Sequence, residues 1–94
     1  MTIQLLENII AISEEKSLTK AADRLLITQP ALSRQLKKLE KELDTRLFKR
    51  EQNEMILTDA GKVYVNGARS ILSTYEDALS KIEKLRTSGR KRIT

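Results

Sequence analysis

The chain has 94 residues, with 18 lysines and arginines against 13 acidic residues, and its formal charge of +5 favours a polyanionic partner. Because it contains neither cysteine nor histidine, disulfides, thiolate metal sites and imidazole acid–base catalysis are excluded. No apolar run approaches the length of a membrane span. We therefore expect one modest core, a cytoplasmic location without membrane contact, and no enzymatic activity, metal or cofactor.

The first predicted helix runs from Ile3 to about Glu15, with Thr2 placed to cap its N-terminus. Its apolar residues form one broad face, suited to packing beneath the helices that follow. These residues are Leu5, Leu6, Ile9, Ile10 and Ile12.

A second, shorter helix is predicted to begin near Leu18, with Ser17 as its N-cap. Adjacent small residues on its buried side allow the next helix to cross closely, and Ile27 is expected to fill the turn between them. The buried side comprises Ala21, Ala22, Leu25 and Leu26. The exposed side is polar and basic, with Thr19, Lys20 and Arg24.

The third predicted helix runs from Gln29 to Leu43, with Thr28 as N-cap and Pro30 in the first turn, where a missing N–H costs little. Its leucines form one narrow stripe, which is typical of a core-facing side. They are Leu32, Leu36, Leu39 and Leu43. The opposite face carries Arg34, Lys37, Lys38 and Lys41, with no carboxylate at its centre.

A solvated helix face usually mixes both signs of charge, so this segregation favours attraction to phosphate. The alternative is an ordinary basic surface, with Gln29 merely solvated and Arg34 in an ion pair, for instance with Glu42. Two helices joined by a tight break, the second of them basic, are typical of a helix-turn-helix that binds DNA.

Residues at the start of a recognition helix tend to meet base edges. Glutamine can bond adenine at two points, arginine can bond guanine at two points, and serine can serve several bases. The predicted base contacts are Gln29, Pro30, Ala31, Ser33 and Arg34, with Ala31 facing a thymine methyl group. The predicted backbone contacts are Ser17, Thr19, Thr28, Gln35, Lys38 and Arg50, and the exposed cations of the second helix could touch phosphates as well.

After Asp44-Thr45-Arg46, two short apolar runs flank the polar residues 51–54. We predict a small β-hairpin, here called the wing, with Asn53 at or near its tip, and an irregular loop is the alternative. Phe48, the only phenylalanine, is expected in the core. Lys49 and Arg50 are the cations of the wing.

Thr58 is expected to cap a fourth helix that runs to about Leu85 or Thr87 and ends at Ser88-Gly89. Its apolar residues alternate four and three apart, which is a heptad seam. Such a helix would be on the order of 45 Å long, more than a small globule covers, so a second copy is the expected partner. The alternative is that the stripe packs only on its own domain. The predicted dimer interface is Tyr64, Ala68, Ile71, Leu72, Tyr75, Ala78, Leu79 and Ile82.

Several of these segments resemble the N-terminal DNA-binding region of LysR-type transcriptional regulators. The most specific of these segments extends from Thr28 to Gln35. The other segments are Ser17–Ala22, Leu39–Leu43, Leu47–Arg50 and Leu57–Gly61. The resemblance implies dimeric binding to interrupted palindromes, antiparallel linker helices and, in a full-length protein, tetramers as a further option. It also implies that a small-molecule inducer binds only through an absent effector domain.

The chain departs from this family at two positions. Lys16 stands where members usually have glycine, and it could adjust the turn or reach a phosphate. Asn53 stands where members commonly carry an arginine that contacts the minor groove, and Glu51 and Glu54 flank it.

The predicted fold is therefore mostly α: a winged helix-turn-helix of three helices plus a β-hairpin wing over residues 1–58, followed by a linker or dimerisation helix over 59–87. Residues 88–94 are expected to form a hinge, a basic tail or the start of the absent effector domain. The predicted function is sequence-specific binding of double-stranded DNA, with the helix at about 29–43 in the major groove. The alternative is a helical protein-interaction module, in which the heptad seam is the function and the basic face serves solubility.

Overall fold

The structure is a computed structural model that describes the backbone of residues 1–93 and the side chains of residues 1–88. Three helices come first, followed by a two-stranded antiparallel hairpin and a long helix, which confirms the predicted fold class. The elements are α1 (Ile3–Glu15), α2 (Leu18–Leu25), α3 (Gln29–Leu43), β1 (Phe48–Glu51), β2 (Glu54–Leu57) and α4 (Asp59–Ile93).

Hydroxyl groups begin the helices at the four predicted positions. Thr2, Ser17 and Thr28 each accept a hydrogen bond from the backbone N–H three residues later, at 3.1, 3.1 and 3.2 Å. Thr58 accepts one in the same way at 3.0 Å, and its hydroxyl donates to the carbonyl oxygen of Arg46 at 2.7 Å. The cap of α4 thus also fixes the segment that leads into the wing.

The core lies around α1, which packs against α2, α3 and α4. Every other element contributes apolar side chains to the same cluster, including the wing, whose Phe48 is fully buried as predicted. The core residues are Leu6, Ile9, Ile10, Ala11, Ile12, Ala21, Ala22, Leu32, Leu36, Leu39, Leu47, Phe48, Met55, Val65 and Ala68. The small pair Ala21 and Ala22 is almost completely covered, as expected where helices cross closely.

Two leucines expected in the core are exposed. Leu26 does not extend the buried side of α2, because it is the left-handed C-cap (φ = 60°) and its side chain is 91% exposed. Leu43 is 45% exposed, since it ends α3 and the left-handed Asp44 then turns the chain toward the wing. The helical period predicts burial for both leucines, but Leu26 lies in the cap of α2 and Leu43 is the last residue of α3.

The predicted end of α4 at Leu85 or Thr87 is wrong, because the helix continues to Ile93. The hydroxyl of Thr87 donates to the carbonyl oxygen of Glu83 at 2.9 Å, so its bonding is satisfied inside the helix. A single glycine costs a helix only about 1 kcal/mol and does not have to end it. Apart from Ser88, the predicted hinge over 88–94 falls outside the residues whose side chains are described.

A charged cluster joins α1, α2 and α4. The two carboxylate oxygens of Glu14 lie 2.8 Å from Nη2 of Arg24 and 2.9 Å from Nη1 of Arg69. A second carboxylate, that of Glu15, lies 3.2 Å from Nη1 of Arg24. Because these carboxylates already bind the guanidinium of Arg24, we no longer count Arg24 among the candidate phosphate contacts.

The same cluster predicts how stability depends on pH. Hydrogen bonds from Arg24 and then Arg69 hold the pKa of Glu14 below its ordinary value of 4.5. A depressed pKa contributes stability that is complete above the ordinary value and is lost as the pH falls through the value in the folded state. We expect Glu14→Gln to lower the free energy of unfolding near neutral pH by about 1 kcal/mol or less, because the pairs are partly exposed.

Urea unfolding of the native chain and the variant at several pH values checks this expectation. The difference between the two should shrink as the pH is lowered below 4.5. Glu7→Gln is the matched control, because Glu7 lies exposed on the same helix and makes no ion pair with the side chains that are described. A difference that stays constant with pH would contradict the role of the Glu14 carboxylate.

Candidate nucleic-acid interface

The turn between α2 and α3 leaves the start of α3 facing outward. The N–H of Ile27 donates to the carbonyl oxygen of Ala22 at 3.1 Å. The side chain of Ile27 is partly buried against the core, as expected for the residue that fills the turn. The cap at Thr28 then starts α3 at once. Of the residues predicted to contact bases, Gln29, Pro30 and Arg34 are exposed, while Ala31 and Ser33 are partly exposed.

The outer face of α3 keeps its positive charge uncompensated. All four of its cations are exposed: Arg34, Lys37, Lys38 and Lys41. Among the side chains that the structure describes, none of them lies within 4.0 Å of a carboxylate oxygen. The alternative ion pair between Arg34 and Glu42 is therefore absent from this part of the chain, and the face presents charges that no neighbouring carboxylate neutralises.

A cleft of about 690 Å³ lies between α3 and the wing, and it is lined along α3 from Gln29 to Lys41. Four cations line it, and they are Lys37, Lys41, Arg46 and Arg50. Two acidic residues, Glu40 and Asp44, line it as well, but the first of them is turned toward the backbone. A cleft of this shape and charge could hold a polyanionic strand.

Glu40 fixes the wing to α3. One of its carboxylate oxygens accepts from the backbone N–H of Leu47 at 2.7 Å and from that of Phe48 at 3.3 Å. Its side chain is only 11% exposed, and Nε of Arg46 lies 3.5 Å away. Helical periodicity places Glu40 at the flank of the basic face, but it does not show that the carboxylate reaches amides beyond the helix.

Gln35, a predicted backbone contact, has an internal partner that the sequence did not indicate. Its Oε1 accepts from Nδ2 of Asn8 at 2.6 Å, and Oδ1 of Asn8 accepts from Nε2 of Gln4 at 2.9 Å. Asn8 is 2% exposed and is polar on an otherwise apolar helix face. Since its oxygen is held, Gln35 has only its amide N–H groups left to offer a phosphate.

The wing is a hairpin, as predicted, and its turn consists of two residues. Gln52 and Asn53 form the turn with φ = 49° and 65°, the positive values that a type I′ turn requires. Asn53 is thus at the tip. Nζ of Lys49 lies 3.0 Å from a carboxylate oxygen of Glu51, whereas Arg50 has no such partner within the described residues. Arg50 is therefore the better placed of the two wing cations for an anionic ligand.

The predicted backbone contacts that remain are exposed or partly exposed. Ser17 and Thr28 use their hydroxyl oxygens as caps, which leaves the O–H groups able to donate. Thr19 and Lys38 are exposed on α2 and α3. No predicted contact in this group is buried.

The heptad seam of α4 is divided between the body of the protein and its surface. The prediction that Ala68 lies in the dimer interface is wrong, because Ala68 is 2% exposed and packs in the core of its own domain. Tyr64 and Leu72 are partly covered. Large apolar side chains beyond them are 41–59% exposed, and they are Ile71, Tyr75, Leu79 and Ile82. The alternative that the whole stripe packs on its own domain is wrong for this second part.

Three helices with a hairpin wing, the third helix exposed and basic, define a winged helix-turn-helix protein. A family model described as "Bacterial regulatory helix-turn-helix protein, lysR family" matches residues 3–62. The chain belongs to this family, which confirms the resemblance seen in the sequence.

Individual relatives agree with the family assignment. The chain is 39% identical over 93 residues to a probable RuBisCO transcriptional regulator of Phaeodactylum tricornutum, covering 99% of this chain and 30% of that protein. It is 42% identical over 87 residues to the HTH-type transcriptional regulator BsdA of Bacillus subtilis, covering 92% and 30%. The chain thus spans about a third of the length of these relatives.

The likeness extends to a solved complex. The DNA-binding domain of BenM, crystallised with catB site 1 DNA, has a TM-score of 0.84 and 37% sequence identity, covering 89% of this chain and 93% of that one. No helix in the described part of the chain is both long and apolar enough to cross a membrane.

The hydrogen bonds of Glu40 give a prediction about the wing. Glu40→Ala should lower the free energy of unfolding by about 2 kcal/mol, because two partly buried N–H groups lose a charged acceptor. Urea unfolding followed by circular dichroism measures the loss. Glu42→Ala, an exposed carboxylate on the same helix, should change stability by less than about 0.5 kcal/mol. Equal effects of the two substitutions would show that Glu40 does not hold the wing.

Proposed function

We propose that this chain binds double-stranded DNA in a sequence-specific manner, with α3 in the major groove. The observation that supports this most is the face of α3, where four exposed cations have no acidic partner among the described side chains. Membership of the lysR family and the likeness to the BenM domain, which was crystallised with DNA, support the same conclusion.

Base reading is assigned to the first two turns of α3, because their outer side carries exposed polar residues, Gln29 and Arg34, while Leu32 holds their inner side in the core. Gln29 and Arg34 can each form two hydrogen bonds to one base, and Ser33 can donate or accept. Pro30 and Ala31 provide close apolar contact, with Ala31 against a thymine methyl group. The phosphate contacts are assigned to Ser17, Thr19, Thr28, Gln35, Lys38 and Arg50.

A helical interaction module is the competing function, and it would use the exposed seam of α4 without specific DNA binding. A titration against a random duplex at low and high salt separates the two functions. The interaction module binds at neither salt concentration, whereas a DNA-binding domain binds at low salt and loses affinity as salt rises. The segregated charge of α3 favours the DNA-binding domain, since an interaction module has no need of it.

The chain is also proposed to form a homodimer through α4. From Ile71 onward the apolar stripe is exposed except at the partly covered Leu72, and α4 is 35 residues long, about 52 Å at the usual rise. A second copy of the same helix would cover the stripe and hold two recognition helices at a fixed distance. Such a dimer would bind an interrupted palindrome, because its two-fold symmetry repeats the half-site.

In the cell, the chain is proposed to act in transcription regulation in the cytoplasm, as the DNA-binding part of a longer regulator. The support is its coverage of only about 30% of the regulators to which it is similar. On this proposal, an effector domain outside the chain would bind a small-molecule inducer. The division into a binding domain (1–58) and a linker helix that begins at residue 59 belongs to the same proposal.

The assignment of base and phosphate contacts predicts opposite behaviour for two neighbouring cations. Arg34→Ala should weaken binding to a selected site by about 1–3 kcal/mol and leave random DNA nearly unaffected. Lys38→Ala, the matched control, should weaken both alike and reduce the salt dependence. Selection of bound duplexes from a random pool supplies the site, and fluorescence anisotropy measures the affinities. Equal losses on both DNAs for Arg34→Ala would make that arginine a phosphate contact.

The dimer predicts that a charge on the seam separates the protomers. Ile82→Glu should give a monomer in sedimentation equilibrium and weaken binding to a full palindrome at least about ten-fold, while single half-sites keep their affinity. Ser80→Glu is the control, because Ser80 lies on the opposite side of α4 at the helical period. A dimer that survives Ile82→Glu with unchanged affinity would exclude this face as the interface.

A further inference from the structure

Lys16 has a backbone conformation that is unfavourable for a lysine. It is the C-cap of α1, with φ = 57° and ψ = 24° in the left-handed region. Glycine adopts this region without penalty, and asparagine and aspartate tolerate it, but a residue with a long side chain is strained there. Such strain persists only when the surrounding structure imposes it.

The fold imposes this conformation through two backbone hydrogen bonds of Lys16 and through the immediate start of α2. The N–H of Lys16 donates to the carbonyl oxygen of Ile12 at 2.9 Å, which closes α1. The next residue, Ser17, is already the N-cap of α2. The carbonyl oxygen of Lys16 accepts from the N–H of Met55 at 3.0 Å, which joins the turn to the wing. None of these contacts uses the lysine side chain, so glycine would satisfy the fold at lower cost.

The side chain of Lys16 is exposed and makes no ion pair with any side chain in the described part of the chain. Its backbone borders the cleft between α3 and the wing, because Leu18 and the bonded Met55 both line that cleft. Arg50 lines it too, and pairs with Met55 across the hairpin. Lys16 thus adds a positive charge where α2 and the wing meet.

We propose that Lys16 contacts a DNA phosphate at the rim of this cleft, and that the chain gives up folding stability at this position in exchange for affinity. This inference rests on the proposed function and adds to it a phosphate-binding residue. The contact is independent of base sequence, because an ammonium group on a flexible stem attracts phosphate as a point charge.

Three substitutions test the proposal. Lys16→Gly should raise the midpoint of urea unfolding, with a folding constant about two to five times larger. It should also weaken binding about three- to ten-fold near 0.1 M salt on selected and random DNA alike, and make the slope of log affinity against log salt shallower by about 0.9. Lys16→Asn should lose the same affinity and raise the midpoint of urea unfolding by less than Lys16→Gly, whereas Lys16→Arg should keep the native affinity and slope.

Lys84→Gln is the matched control for net charge. Lys84 is exposed near the far end of α4 and makes no ion pair with the described side chains. Its removal should leave the salt slope unchanged. If Lys16→Gly and Lys16→Asn behave like Lys84→Gln in binding, or if Lys16→Gly unfolds more easily than the native chain, the proposal is overturned while the proposed function stands. A native chain that binds no duplex at low salt would instead overturn the proposed function itself, and this inference with it.

Discussion

The burial of three leucines orients the recognition helix, and the rest of the interface depends on that burial. Leu32, Leu36 and Leu39 are 0%, 5% and 7% exposed, and covering a leucine side chain stabilises a fold by about 1.5–3 kcal/mol. Rotating α3 by half a turn would expose all three and bury its cations without partners, which is far more costly. The basic face therefore points outward because the leucine face cannot.

Polar contacts then fix the angles between elements that apolar packing does not determine. Apolar burial is not directional, so it fixes which face of α3 is inside but not the angle of the wing. The carboxylate of Glu40 supplies that direction through its bonds to the amides at the start of β1. The bond from Asn8 to Gln35 acts similarly on the opposite side of α3, where it joins this helix to α1. Each of these polar groups lies next to the proposed DNA-binding face, where small errors of angle would separate donors from bases.

Much of the fold could be predicted from the sequence, because its signals are local. These signals depend on neighbours within a few positions: the hydroxyl caps, the 3.6-residue period and a turn that tolerates positive φ. The predicted bounds of α1, α2, α3 and the wing are therefore close to the observed ones. The errors lie where distant contacts or caps decide. Leu26 continues the helical period of α2 but lies in its cap. Arg24 lies on the exposed side of α2, but its side chain forms ion pairs with two carboxylates of α1.

The position of the candidate site could be predicted from the sequence, but the contacts that hold its parts in place could not. The charge pattern of α3 located the face, because segregated charge is visible in sequence. The reach of Glu40 beyond its helix, and the strain at Lys16, appear only in three dimensions. The division of the α4 seam was hidden for the same reason, since a heptad pattern does not tell whether the chain's own core or a second copy covers a given turn. Ala68 and Ile71 are three residues apart and have opposite surroundings.

That division links dimerisation to the geometry of DNA binding. The first turns of α4 are held to the body by the buried Val65 and Ala68, and by the ion pair between Arg69 and Glu14. A continuous helix transmits the orientation of these turns to the exposed seam about 20 Å further along. In the proposed dimer, the angle between α4 and the body therefore sets the distance between the two copies of α3. Since half-sites must lie at a spacing that matches the helical repeat of DNA, residues outside the proposed DNA contacts, such as Arg69, would help to set the half-site spacing that the dimer binds.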